Sequence, residues 1–522
     1  MHLAARDIVR PVPEPPHRLE DFVELAHFEL DPESIRRLSR EFCQRHSVVV
    51  LGRIPAARTD EPVPIGMLRP TDTTVLDNVG AALHAPVRAV RLHLHEIERA
   101  LAVGYPEPGA ARERGRIELR PVARVSYRPD REARDLVHEA IAQAITLGAS
   151  DVHFECYEDD VDVRVRIDGV LRQVNTPFAP DQIPAAVSYL KVLAGLDIAE
   201  RRRAQDGRVL TTFVDGDGAS REIELRLAVL PGPHGEDAVL RVLDSAAAEV
   251  DLDALGFDPA TAERFAETVA SPEGLVLVCG PTGSGKTTTL YAALRRINHD
   301  GNKLLTVENP IEYRLPKANQ KQVGPAMGFA DYARAFLRQD PDVLMIGEIR
   351  DEETAGLAVR AAQTGHLVLS TLHTRDSIGS VPRLATLGLD GGMIADSLLG
   401  VLAQRLVRRV CASCRVDADP DPRLLARLGR GDLEGPVSVG RGCVACGDTG
   451  YRGRVGVFEL LVIDGEIANH VVAGEAPHRL RRLARERGLR SMLDDGLDKV
   501  RAGVTTLEEV ARHVPYALDK EQ

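Results

Sequence analysis

The sequence contains Gly280-Pro281-Thr282-Gly283-Ser284-Gly285-Lys286-Thr287-Thr288, a glycine-rich loop with the spacing G-x-x-x-x-G-K-[ST]. An apolar run at 275–279, typical of a buried strand, precedes the loop, and a helical pattern at 290–294 follows it. The glycines let backbone N–H groups surround phosphate oxygens, and the helix N-terminus adds partial positive charge. Lys286 would neutralise the terminal phosphates and Thr287 would hold Mg²⁺. We therefore predict a nucleotide site at 280–288 rather than an accidental glycine-rich turn.

The length and composition are those of a soluble protein with several domains. A chain of 522 residues is too long for one hydrophobic core, and 44% hydrophobic with 28% charged residues is typical of globular proteins. No apolar run approaches the roughly 20 residues of a membrane span, and the proline-rich N-terminus does not resemble a signal peptide. We therefore expect a cytoplasmic protein. The net charge of −12 argues against a nucleic-acid partner.

Changes in composition and periodicity suggest the domain boundaries. Val161, Val163, Val165 and Ile167 alternate with charged residues up to Gly169, which predicts a half-buried strand that enters a turn. Other patterns predict helices and strands throughout, among them a helix at 35–45 and a strand at 47–51. The predicted segments are a flexible tail (1–18), an N-terminal domain (19–105), a linker (106–129), a second domain (130–247), the nucleotide domain (248–402), a cysteine module (403–465) and a C-terminal helical segment (466–522).

Three side chains of the nucleotide domain are candidates for catalysis. Glu308, Glu348 and His373 each follow a short apolar run that is predicted to be a strand. Because ligands of parallel sheets bind at the carboxyl ends of strands, we expect these side chains to converge on the glycine loop. Hydrolysis requires carboxylates aimed at Mg²⁺ and at the attacking water, and the histidine could sense a γ-phosphate. The alternative for each is an ordinary polar residue at a strand end.

Four cysteines form two pairs, Cys411-x-x-Cys414 and Cys443-x-x-Cys446. In a cytoplasmic chain this spacing predicts a closed, tetrahedral Zn²⁺ site with a structural role, rather than disulfides. Such a site could contribute on the order of 10 kcal/mol to local folding. The remaining cysteines lie singly beside apolar residues and are predicted to be small buried hydrophobic groups: Cys43, Cys156 and Cys279.

The nucleotide motifs resemble, in order, those of the secretion ATPases, the motors of type II secretion and type IV pilus assembly. The matching segments correspond to the Walker A, Asp box, Walker B and His box motifs of that family: 280–291, 308–313, 337–351 and 364–374. The resemblance is dense from about 130 to 459, where it includes Arg166-Ile-Asp-Gly-Val170 and Gly442–Arg454. The N-terminal domain is only loosely similar to the docking domain of the family.

The resemblance implies an α/β fold in which a RecA-like P-loop ATPase domain follows a PAS-like α+β domain and a small N-terminal α/β docking domain, with a tetracysteine zinc insert. It implies ATP, Mg²⁺ and Zn²⁺ as ligands, and a homo-hexamer. Arg208 and Arg226 occupy positions where the family supplies arginines to bound nucleotide. The expected partners are the cytoplasmic domain of an inner-membrane assembly protein, which the N-terminal domain would dock onto, and a membrane platform protein. The expected localisation is cytoplasmic, with peripheral attachment to the inner membrane.

The zinc module favours a motor of assembly or export, because the retraction motors of the family generally lack it. Two positions depart from the family pattern: Asn309 replaces an Asp, and Arg375 replaces an Asn. We expect activity to survive both changes, although the loss of a carboxylate at 309 bears on Mg²⁺ binding. Two alternatives remain open at this stage. One is a P-loop DNA or RNA translocase with a zinc module, and the other is a nucleotide-binding scaffold that does not hydrolyse.

Overall fold

The computed structural model describes residues 22–23, 25–28, 30–54, 62–105, 117–121, 132–173, 178–179, 182–216, 218–244, 250–430, 433 and 435–515. These residues form two compact units. The first contains the described residues up to 105 together with 190–209, and the second contains those of 117–189 and 210–515. The predicted tail at 1–18 lies outside the described residues. Within the segment predicted as a linker, residues 117–119 form a strand.

The first unit contains a three-stranded sheet and helices around one apolar core. The helix expected at 35–45 is in fact two helices, because the Ser39 side chain accepts a hydrogen bond from the Phe42 N–H at 3.2 Å and caps the second one. The strand expected at 47–51 is present. Its neighbour in the sheet, β2 (Val63–Met67), was not predicted, and neither was the helix α3 (Thr73–Leu83). The elements are α1 (Pro32–Ile35), α2 (Arg40–His46), β1 (Val48–Val50), β2 (Val63–Met67), α3 (Thr73–Leu83), β3 (Val87–Arg91) and α4 (Leu94–Gly104).

The second domain is built on a seven-stranded sheet of order β4-β8-β9-β10-β5-β6-β7. The predicted alternation is confirmed in β6, where Val163 and Val165 are buried. The turn that joins β6 to β7 has positive φ at Asp168 (49°) and Gly169 (82°), as a two-residue type I′ hairpin requires. The elements are β4 (Ile117–Leu119), α5 (Ala133–Thr146), β5 (Ala149–Cys156), β6 (Val161–Ile167), β7 (Val170–Gln173), α6 (Ile183–Ala194), β8 (Gln205–Val214), β9 (Ser220–Gly232) and β10 (Gly235–Asp244).

The nucleotide domain contains a second seven-stranded sheet, of order β13-β12-β14-β15-β11-β16-β19. All neighbouring pairs are parallel except β16 and β19. The elements are α7 (Pro259–Val269), β11 (Gly274–Cys279), α8 (Lys286–Ile297), β12 (Leu304–Glu308), β13 (Asn319–Gln322), α9 (Phe329–Phe336), β14 (Val343–Ile346), α10 (Glu352–Gln363), β15 (Leu367–Leu372), α11 (Ser380–Thr386), α12 (Gly391–Ser397), β16 (Leu398–Val410) and β19 (Tyr451–Val462).

The interior strand β11 is buried on both faces. Its side chains alternate between two apolar cores, with Leu275, Leu277 and Cys279 in one and Val276 and Val278 in the other. A strand whose two faces are both buried consists of a continuous apolar run, which is why residues 275–279 show no polar alternation.

The cysteine pairs lie on the segment between β16 and β19, so the sheet continues beyond residue 402. The helices after β19 contribute apolar residues to the same core as the sheet. Among the described helices, none has both the length and the apolar character required to cross a membrane. The remaining elements are β17 (Arg415–Ala418), α13 (Pro422–Leu428), β18 (Val437–Gly440), α14 (Gly465–Val472), α15 (Pro477–Glu486), α16 (Met492–Arg501) and α17 (Leu507–His513).

We predict that Gly456→Ala destabilises the protein by about 1–3 kcal/mol. A methyl group at this position of β19 would clash with the ring of Phe458. That ring is buried and stacks on Phe257 with the ring centroids 3.9 Å apart, so it has little freedom to move away. The midpoint of thermal unfolding measures the effect. Gly465→Ala is the matched control, because a methyl group there meets no atom within 4 Å; equal midpoints for the two variants would contradict the prediction.

Candidate functional site

The glycine loop joins the carboxyl end of β11 to the first turn of α8, as predicted. Gly280 has a φ of 152°, and a Cβ there would lie 2.6 Å from both the Gln404 carbonyl oxygen and the Ser284 hydroxyl. Gly285 precedes α8 with a φ of 88° in the left-handed region. These positions therefore require glycine for steric reasons. The unpaired N–H groups of the first turn of α8 are suited to an anion.

Lys286 is the first residue of α8, and its ammonium lies against the loop. It donates hydrogen bonds to the carbonyl oxygens of Gly280 at 2.9 Å and Pro281 at 3.0 Å. Burial lowers the pKa of Lys286, while the negative charge of Glu348 opposes this shift. Thr287 lies half-buried in the same helical turn. An ammonium and a hydroxyl therefore lie at the helix N-terminus, as the sequence suggested.

Glu348 and His373 lie together at the ends of neighbouring strands β14 and β15. The Oε2 atom of Glu348 is 2.6 Å from Arg350 Nε and 3.7 Å from His373 Nε2. Burial lowers the pKa of His373, and the positive charge of Lys286 adds to this shift. Both causes favour the neutral form of the imidazole. The structure thus brings the predicted lysine, carboxylate and histidine to one edge of the sheet.

Glu308 is placed differently, because it is buried at the end of β12 and only 3% exposed. Its Oε1 atom accepts hydrogen bonds from Thr306 Oγ1 at 2.6 Å and Gln320 Nε2 at 3.1 Å, and its Oε2 atom accepts one from the Tyr291 hydroxyl. A carboxylate has about four lone-pair positions, so these three donors leave one on Oε2. The Glu308 carboxylate is therefore held in a fixed orientation.

Arg226 of β9 reaches the segment that follows Glu308. Its Nη2 atom donates to the Ile311 carbonyl oxygen at 2.6 Å, and its Nε atom is 3.1 Å from Glu224 Oε1. Burial raises the pKa of Glu312, and the positive charge of Arg226 opposes this shift. Arg208 lies on β8 among the residues of the first unit, and its role stays a prediction.

Two residues beneath the glycine loop were not found from the sequence. Gln404 donates from Nε2 to the Ser284 carbonyl oxygen at 2.7 Å, and both residues are buried. Arg405 donates from Nη2 to the Arg375 carbonyl oxygen at 2.7 Å and from Nη1 to that of Gln404 at 2.8 Å. They lie on β16, which neighbours β11. The available signal was a pair of polar residues that interrupts the apolar run from 398 to 407.

The four paired cysteines converge on one point, with their sulfur atoms all within 4.8 Å of one another. Three of the sulfur pairs are 3.8–3.9 Å apart: Cys411 with Cys443, Cys414 with Cys446, and Cys443 with Cys446. A tetrahedral zinc site with Zn–S bonds of about 2.3 Å requires sulfur separations of about 3.8 Å. The cysteine cluster therefore fits Zn²⁺, as its spacing predicted.

Comparison with known proteins identifies the family. Residues 129–512 match the family described as type II/IV secretion system protein, and residues 19–110 match the MshEN domain. The chain belongs to the type II/IV secretion system protein family. The resemblance inferred from the nucleotide motifs is thereby confirmed.

The relatives are named as proteins of secretion and pilus assembly. The type IV pilus assembly ATPase PilB of Myxococcus xanthus is 38% identical over 507 residues, which cover 94% of this chain and 88% of that protein. The type II secretion system protein HxcR of Pseudomonas aeruginosa is 47% identical, over 72% of this chain and 76% of its own length. PilB of Thermus thermophilus is 45% identical over 72% of this chain, and the match spans 42% of that longer protein.

The similarity to solved structures supports the predicted fold and nothing beyond it. The ATPase DotB of Yersinia pseudotuberculosis aligns with a TM-score of 0.56 at 20% identity, over 77% of this chain and 98% of its own. DotB of Legionella pneumophila aligns with a TM-score of 0.53 at 22% identity, over 74% of this chain and 97% of its own. The predicted α/β ATPase fold is confirmed by these matches and by the family.

We predict that Gln404→Leu weakens nucleotide binding about tenfold, because the buried Ser284 carbonyl loses its donor at a cost of about 1–3 kcal/mol. Titration with a fluorescent ATP analogue measures the Kd. The matched control is Gln363→Leu, which removes a hydrogen bond to Asp396 in an exposed position on α10. A Kd for Gln404→Leu equal to that of the control would show that Gln404 does not support the loop.

Proposed function

We propose that this chain is an ATP-hydrolysing motor that drives the assembly of pilin-like subunits, in type II secretion or in a type IV pilus. The observation that carries the proposal is the convergence of Lys286, Glu348 and His373 on one edge of the parallel sheet. The family and the names of the relatives support the same activity.

In the proposed site, backbone N–H groups of 280–288 surround the phosphates of ATP and Lys286 neutralises the β- and γ-phosphates. The Thr287 hydroxyl and the Glu348 carboxylate offer the oxygen ligands that Mg²⁺ prefers. When bound, Mg²⁺ would offset the negative charge that develops on the phosphate oxygens. The His373 imidazole would donate or accept a hydrogen bond near the γ-phosphate.

Hydrolysis breaks the bond between the γ-phosphorus and the oxygen that stays with ADP, while a water oxygen bonds to the phosphorus. Glu348 would orient this water and accept its proton, directly or through a second water. Glu308, with one lone-pair position left on Oε2, would hold a water of the same network. Asn309, exposed beside it, carries no charge, so the carboxylates of the proposed site are Glu308 and Glu348.

Arg226 would supply positive charge to the phosphates when the second domain closes on the nucleotide domain, and we propose the same for Arg208. The hydrogen bond from Arg226 to the Ile311 carbonyl oxygen puts the Arg226 guanidinium beside the segment that begins at Glu308. An arginine delivered to a γ-phosphate can accelerate hydrolysis by about 10³–10⁵. If delivery depends on domain closure, hydrolysis is coupled to motion.

We further propose, following the family resemblance, that the chain acts as a homo-hexamer at the cytoplasmic face of the inner membrane. The N-terminal domain would dock onto the cytoplasmic domain of an inner-membrane assembly protein, and the hexamer would act on a platform protein. Nucleic acid is not expected as a partner.

We predict that Lys286→Ala and Glu348→Gln each lower the rate of ATP hydrolysis by at least about 100-fold. Phosphate release measures the rate. Glu348→Gln should still bind ATP, because it removes one negative charge and leaves Lys286 in place, whereas Lys286→Ala should also weaken binding.

The control for this pair is Glu353→Gln, which alters an exposed carboxylate paired with Arg334 at the start of α10. Its hydrolysis rate should equal that of the wild type. Undiminished hydrolysis by Lys286→Ala or Glu348→Gln would refute the assignment of the active site.

We predict one Zn²⁺ per chain, bound by Cys411, Cys414, Cys443 and Cys446. Elemental analysis of the purified protein measures the zinc content. Cys443→Ser should lose the metal and unfold at a lower temperature, because a structural zinc site contributes directly to folding. Cys156→Ser, which changes a single cysteine of β5, should keep both the zinc and the unfolding temperature. A chain that contains no zinc after purification without chelators would refute the assignment.

A further inference from the structure

Two motifs of the sequence have no role in hydrolysis as proposed above, Arg166-Ile-Asp-Gly-Val170 and Gly442–Arg454, and the structure brings them into contact. Asp168 occupies the turn between β6 and β7, where its side chain is 15% exposed. Its Oδ2 atom accepts a hydrogen bond from the Gly453 N–H at 2.8 Å, and its Oδ1 atom is 3.8 Å from Arg454 Nε. A partly buried carboxylate therefore joins the second domain to the segment that follows the cysteines.

A second residue of the same hairpin lies beside the cysteine cluster. Arg172 is half-buried on β7, and its Nη1 atom is 3.9 Å from the position that a Cβ on Gly447 would occupy. Four thiolates around one Zn²⁺ carry a net charge of about −2, which a neighbouring guanidinium offsets. The charge of Arg172 is thus complementary to that of the metal centre.

The cysteine cluster fixes the position of the chain that Asp168 contacts. The Cys446 sulfur accepts hydrogen bonds from the N–H groups of Cys443 at 3.2 Å and Gly450 at 3.3 Å. The Thr449 hydroxyl then donates to the Cys446 carbonyl oxygen at 2.7 Å and accepts a hydrogen bond from the Tyr451 N–H at 3.1 Å. A continuous series of hydrogen bonds therefore runs from the cluster to within two residues of Gly453.

The second domain consequently contacts the nucleotide domain at two separate points of one sheet. Arg226 makes the first from β9, and Asp168 makes the second from the end of β6. Three strand spacings separate β9 from β6, which is about 14 Å. A single contact lets a domain pivot, whereas two contacts at this separation fix its orientation.

We propose that the tetracysteine module is the docking surface for the second domain, and that Asp168 and Arg172 are positioning residues that hold Arg226 at the segment following Glu308. This inference rests on the proposed role of Arg226 in ATP hydrolysis. The zinc site then has a role beyond local folding, because it sets the angle at which the arginine approaches the nucleotide.

The test uses the full chain with Asp168→Gly, which removes the carboxylate and preserves a turn that requires positive φ. Hydrogen exchange of the Gly453 amide should accelerate at least tenfold, because this N–H loses its acceptor. The kcat for ATP should fall about tenfold with little change in KM. The double variant Asp168→Gly with Arg226→Gln should hydrolyse ATP no more slowly than Arg226→Gln alone, because each change removes the contribution of Arg226 to catalysis.

Two variants and one treatment provide the controls. Asp168→Asn retains an acceptor and the turn, so it should restore slow exchange and most of the kcat. Asp162→Asn removes a charge from the same hairpin, where Asp162 accepts a hydrogen bond from Gln173, and should behave as the wild type. Removal of zinc from the wild type with a chelator should accelerate exchange at Gly453 without any substitution.

Unchanged exchange at Gly453 in Asp168→Gly, or kcat losses that multiply in the double variant, would overturn the docking proposal. These outcomes are distinct from failure of the proposed function. That failure would appear as ATP hydrolysis that does not depend on Lys286, whereas exchange at Gly453 reports on docking whatever the rate of hydrolysis.

Discussion

Burial of β11 on both faces is the constraint on which the site depends. A strand packed between two apolar cores cannot slide or rotate without exposing several side chains, so its parallel pairing with β15 is fixed. That register places Cys279 opposite Leu372. The next residue of each strand is then a member of the site, Gly280 on one side and His373 on the other. The geometry around the phosphate loop thus follows from apolar packing.

The sequence predicted those parts of the site whose signals are local. The glycine spacing, the apolar runs that end at Glu308, Glu348 and His373, and the cysteine pairs can each be recognised within a few residues. Gln404 could not be found in this way, because its role depends on β16 lying beside β11 although 120 residues separate it from Ser284. The break in the helix expected at 35–45 was missed for another reason, since it depends on the cap formed by Ser39.

Glu308 and Glu348 show why a similar sequence pattern does not imply a similar role. Both lie at the end of a buried strand, yet three donors hold Glu308 in a buried network, while the Glu348 carboxylate pairs with the exposed Arg350 guanidinium. Breaking the Glu308 network would leave buried polar groups unpaired, at about 1–3 kcal/mol each. Arg350 is 69% exposed, so its ion pair with Glu348 costs little to exchange for another partner. The Glu308 carboxylate is therefore suited to a fixed position, whereas the Glu348 carboxylate is suited to a role in which its partners change.

The hydrogen bond that joins Asp168 to Gly453 is small compared with the rate effect that we propose for Arg226. A hydrogen bond to a charged group contributes about 1.5–3 kcal/mol to stability. This range is an upper limit for the hydrogen bond between the Asp168 carboxylate and the Gly453 N–H. A rate factor of 10³–10⁵ from an arginine corresponds to about 4–7 kcal/mol of transition-state stabilisation. The proposed docking contact is thus weaker than the rate effect proposed for the arginine that it would position. A contact of this size can break and form again in each cycle, whereas a large apolar interface between the domains would prevent the motion that transmits force.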